Sequence, residues 1–116
     1  MSTEKENKLL NELAEENKNA CSFYKDASNE VQHPILQHTF TNLEMLHSNV
    51  LKKVKGRIRE NGEAPDIDET IKGQIAKSWN GIKTKLSKNP DVMLVHDLEE
   101  AEDRCLDKVQ SIMKND

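Results

Sequence analysis

Apolar residues recur along this chain at alternating steps of three and four, the spacing that lines one face of an α-helix. The first stripe is Leu10, Leu13, Asn17, Ala20, Tyr24, Ala27 and Val31. It predicts a helix over about 4–31, opened by the capping-box pattern Thr3-x-x-Glu6. His33-Pro34 ends it, because the residue before proline is pushed out of helical geometry. The second stripe, Leu36, Phe40, Leu43, His47, Val50 and Val54, predicts a helix over about 34–61 with Gly62 as its stop. So short a connection makes these two helices antiparallel neighbours. A third segment, about 68–86, carries Ile71, Ile75, Trp79, Ile82 and Leu86, with Asp66 and Glu69 as a cap-like start. Gly73 and Gly81 weaken it by about 1 kcal/mol each. The last stripe, Val95, Leu98, Glu102, Cys105, Val109 and Ile112, predicts a helix over about 90–114, capped by Asn89-Pro90-Asp91.

The pattern is a single all-α domain of three long helices and one shorter one. The shorter helix is long enough to carry the chain back to the far end as a crossover, which sets the last helix parallel to the second. Composition agrees: 116 residues allow one core, and 34% hydrophobic against 33% charged residues suits a charged bundle. A net charge of −4 and four aromatic residues argue against nucleic acid as a partner. The longest apolar runs, such as 92–95, are too short for a bilayer, and the first residues lack the apolar core of a signal peptide. The expected setting is cytoplasmic, with Cys21 and Cys105 as thiols in the core.

Each long stripe has a polar residue near its midpoint: Asn17, His47 and Glu102. Helices packed in register bring the three to one depth. Glu44 stands three residues before His47, so Glu44-x-x-His47 places a carboxylate and an imidazole on one helix face. Iron and manganese accept that combination of oxygen and nitrogen, which makes Glu44, His47 and Glu102 candidate metal ligands. The same residues also read as hydrogen-bonded core groups that fix packing register, as a stripe asparagine does. His33, His38 and His96 share no ligand spacing. No Ser–His–acid set, Cys-x-x-Cys motif or phosphate loop is present.

Four segments, Tyr24-Lys25-Asp26-Ala27, Asn61-Gly62-Glu63-Ala64-Pro65, Lys77 to Lys83 around Trp79, and Leu98 to Asp103, resemble an uncharacterised bacterial family of ferritin-like four-helix bundles. The resemblance runs over nearly the whole chain and implies a ferritin-like up-down fold. Wider relatives of the rubrerythrin type, connected with stress responses, use a first-helix glutamate and a Glu-x-x-His on the second helix, then repeat that pair. Glu44 and His47 match the second-helix motif, and Glu102 matches the carboxylate of the third long helix. Asn17 stands where the first-helix glutamate belongs, and the chain stops at Asp116, where a fourth long helix would begin. The expectation is a non-catalytic bundle with a structural or interaction role, its open side covered by a second copy. The alternatives are an iron or manganese protein whose site a second chain completes, and an adaptor whose groove receives a partner's helix.

Overall fold

The computed structural model describes residues 3–67, 73–89 and 95–114. Four helices, and no strand among the described residues, run in the order α1 (Thr3–Glu30), α2 (Pro34–Glu60), α3 (Gln74–Lys88) and α4 (Val95–Lys114). The expected helical stretches at 68–72 and 90–94 lie outside the described residues, as does the Glu69 half of the expected cap.

Local chemistry sets the helix ends. His33 is the N-cap of α2, its Nδ1 accepting the Ile35 N–H at 3.2 Å, and Pro34 supplies a helix-ready φ at the first position. Gly62 adopts φ +84, and the N–H groups of Gly62 and Glu63 donate to the carbonyls of Arg59 and Ile58. That is a Schellman stop, and it uses glycine because a side chain resists the left-handed conformation. Gly73 departs from expectation. At φ +61 it stands outside the helix as the residue before α3, so it marks the boundary rather than weakening an interior turn.

Helix directions follow from the contacts that cross between them. Glu6 meets Arg57 and Asn17 meets His47, so α1 and α2 are antiparallel. Glu16 meets Trp79 and Asp26 meets Lys83, so α3 runs with α1. Tyr24 meets Glu102 and Glu16 meets Lys108, so α4 runs against α1 and with α2. The topology is up-down-up-down. Helix α3 returns the chain as a crossover would, and it is also a member of the bundle, burying Ile75, Trp79, Ile82 and Leu86. Helices α1, α2 and α4 therefore do not stand alone around an empty fourth position on that side.

Helix α1 is the axis of the packing. All three other helices lie against it, whereas α2 and α4 meet through side chains and not through closely spaced backbones. One apolar cluster gathers Phe23, Tyr24, Phe40, Trp79, Ile82 and Leu86 with Ala101 and Cys105. The other, at the opposite end, gathers Leu10, Leu13, Val54 and Ile58. Between them α1 inserts three consecutive buried polar residues, Glu15, Glu16 and Asn17.

Candidate functional site

The polar band between the apolar clusters is built from two connected groups of side chains. In the first, Asn17 donates its Nδ2–H to the Leu13 carbonyl at 2.8 Å, which leaves Oδ1 facing His47 Nδ1 at 2.7 Å. His47 Nε2 lies 2.8 Å from Glu102 Oε2, and the Tyr24 hydroxyl donates to the same oxygen at 2.6 Å. The Tyr24 ring stacks on the imidazole with centroids 5.6 Å apart. One helix-spanning chain of bonds thus ties α1, α2 and α4 together at the midpoint of each stripe. The depth match read from the heptads is what brings Asn17, His47 and Glu102 into contact.

The second group centres on Glu16, a side chain with no solvent exposure. Its carboxylate accepts from Trp79 Nε1 at 2.8 Å, from Lys108 Nζ at 3.2 Å and from Arg104 through both Nε and Nη2. Arg104 uses its remaining arm on Ser78 Oγ at 2.9 Å. Burying a lone carboxylate is prohibitive, and a bidentate arginine with two further donors is the arrangement that permits it. This group joins α1, α3 and α4. Glu16 stands off the apolar stripes, and Trp79 reads from them only as one apolar residue of its segment. The signal available was the indole N–H, a donor that needs a partner when buried.

Electrostatics describe a locked interior. Burial raises the carboxyls of Glu16 and Glu102. Hydrogen bonds from Arg104 and Trp79 outweigh it for Glu16, and those from His47 and Tyr24 for Glu102, so both sit below the usual carboxylate range. Burial and the Glu102 hydrogen bond push the Tyr24 hydroxyl up, keeping it a donor. The Cys105 thiol, 3.9 Å from Glu16, is pushed up to about 12 by burial and by Glu16 and Glu102. Cys21 is raised by burial and by Glu44, whose carbonyl accepts its S–H at 3.5 Å. Both cysteines are free thiols and, being held protonated, are poor nucleophiles.

These shifts fix a pH dependence. A carboxyl whose folded pKa is depressed adds stability above its unfolded value, near 4.3, and that stability is lost as pH falls through the folded value. The thermal midpoint should therefore drop steeply below about pH 4.5, and Glu16→Gln with Glu102→Gln should flatten that drop. Circular dichroism melts across an acid series would show it; an unchanged slope in the double variant would contradict the assignment.

As metal ligands, the three sequence candidates separate. His47 and Glu102 are in direct contact. Glu44 offers its backbone carbonyl to Cys21, and its carboxylate does not join them in any ligand cluster, for among the described residues no group of three His, Cys, Asp or Glu could hold a metal ion. Asn17 contributes a neutral amide, and both imidazole nitrogens face partners within the chain. Of the three sequence candidates, the chain by itself thus brings two, His47 and Glu102, to one point. A groove of about 710 Å³ opens beside the Glu16 group, lined by Asn7, Glu12, Glu15, Glu63 and Lys108 among others.

A family profile described as a domain of unknown function, DUF2383, matches residues 5–115. The chain belongs to this family. DUF2383 thus covers all four helices and both polar groups. No curated protein and no solved structure matches the chain. Among the described residues, no helix of this DUF2383 chain is long and apolar enough to cross a membrane.

Proposed function

We propose that this chain is a non-catalytic helical-bundle protein that acts through its surface, in a structural or interaction role, and that its buried polar groups set helix register. One observation carries the reading. The chemically capable groups of the interior, Glu16, Tyr24, His47, Glu102 and Arg104, are bonded to one another or to neighbouring core side chains. The up-down-up-down order supports the ferritin-like part of the reading, and a stress-related role rests on the family resemblance alone. A second reading keeps iron or manganese at Glu44, His47 and Glu102, with further ligands from a second chain. The 2.8 Å approach of His47 to Glu102 favours it, since two ligand types already share one point.

The two separate on a thermal melt with added Fe(II) or Mn(II). A ligand held only by the folded state stabilises it, by about 2.7 kcal/mol at a hundredfold excess over its dissociation constant. The proposed role predicts a midpoint unchanged by either metal. A rise of about 5 °C or more, lost in His47→Ala, would favour the metal protein.

A further inference from the structure

Among the described residues, the large apolar side chains that stand exposed belong to α2 and α4: Ile35, Leu36, Met45 and Leu46 on one, Val95, Leu106 and Met113 on the other. The backbones of these two helices do not approach each other closely. At 100° per residue, Val95, Leu106 and Met113 share the side of α4 that carries Glu102, which reaches across to His47. Leu46 and Ile35 fall on one flank of the buried α2 stripe, beside the partly buried Leu43 and Val50; Met45 points away from it. The result is an apolar seam along the α2–α4 side, with exposures of 56% at Leu46, 52% at Leu106 and 68% at Met113. Contiguous apolar surface of this kind, rimmed by charge, marks a protein-binding face.

The rim says what binds there. Helices α2 and α4 are parallel, with His47 level with Glu102. Towards the α4 N-terminus the exposed charges are acidic: Glu99, Glu100 and, at the midpoint, Asp103. Towards the α2 C-terminus they are mostly basic, Lys52, Lys53, Arg57 and Arg59 against the single acid Glu60. Within that rim, Glu99 and Asp103 border the seam from α4, and Lys53 and Arg57 border it from α2. The face is thus negative in one half and positive in the other. A second copy turned end for end, about a two-fold axis across the helices, sets each acidic half on a basic half and apolar seam on apolar seam. A copy in the same direction would stack like charges.

We propose that this protein forms an antiparallel dimer through its α2–α4 face, with Leu46 and Leu106 near its centre and the Glu99 half of each copy set against the Lys53 half of the other. The proposal rests on the interaction role above and names the partner as the chain itself. It moves the expected self-association from a vacant fourth-helix position, which α3 partly occupies, to the seam that α2 and α4 leave open.

Sedimentation equilibrium on the full chain tests it. The wild-type protein should be a dimer at tens of micromolar (about 50 μM suffices), and its dissociation constant should rise about tenfold from low to high salt. Leu106→Asp, at an exposed position, should give a monomer with an unchanged helical spectrum. Lys53→Glu and Glu99→Lys should each weaken the dimer about tenfold, and the two together in one chain should restore it. Leu46→Asp provides a second apolar probe should Leu106→Asp alter the fold. A wild-type monomer at about 100 μM, or a dimer indifferent to both aspartates, would overturn the proposal. Failure of the charge pair to restore association would overturn the antiparallel arrangement. None of these readouts depends on metal, so the dimer and the non-catalytic reading fail by different observations.

Discussion

Arg104→Ala is expected to destabilise the fold by about 3 kcal/mol, the lower end of the range for breaking a buried ion pair. The effect comes less from the lost bonds than from what remains. Glu16 has no exposure, so its carboxylate cannot turn to water when the guanidinium goes. Lys108 and the Trp79 indole would be its remaining donors. The opposite deletion should be milder. With Glu16→Gln, the Arg104 and Lys108 side chains, 31% and 18% exposed, can swing outward, and the amide oxygen still accepts from Trp79. The expected cost is about 1–2 kcal/mol, that of a charge-assisted bond exchanged for a neutral one. Urea unfolding followed by circular dichroism measures both, at a common m-value. Equal losses for the two variants would show that burial of the carboxylate is not what sets the cost.

His47→Ala is the second large effect, expected at about 2–4 kcal/mol from a cavity in the polar band and an orphaned acceptor on Asn17. Glu102 would keep Tyr24 as donor and has partial access to water, so it suffers less than Asn17 does. Asn17→Ala should then cost much less in the His47→Ala background than alone, because the bond it would break is already gone. The same cycle run between His47 and Arg104 tests whether the two polar groups act as one. They share α4 and sit on adjacent α1 residues, and a coupling above about 0.5 kcal/mol would mark them as a single unit.

The heptad stripes made the first polar group readable. Asn17, His47 and Glu102 each interrupt a stripe that is otherwise apolar, and equal depth is a consequence of helices of similar length packed side by side. The Glu16 group was not readable in the same way. Glu16 lies one residue off the α1 stripe, on a flank that would be solvent in a two-helix hairpin. It becomes interior only because α3 and α4 both close over it, a tertiary event that no local period records. Gly73 shows the limit at the level of the backbone. Its place in an apolar period suggested a weak helical turn, whereas its left-handed φ puts it just outside the helix. The role of α3 was half legible: its Ile75, Trp79, Ile82 and Leu86 face predicted a buried helix, but not that Trp79 would serve as a hydrogen-bond donor to the core acid.

In the proposed role, the interior polar groups hold helices and carry no cofactor chemistry. Elemental analysis of protein purified without chelator, with His47→Ala prepared alongside, tests it most directly. The account predicts well under about half an equivalent of iron or manganese per chain in both preparations. More than that in the wild-type protein, lost in His47→Ala, would contradict it.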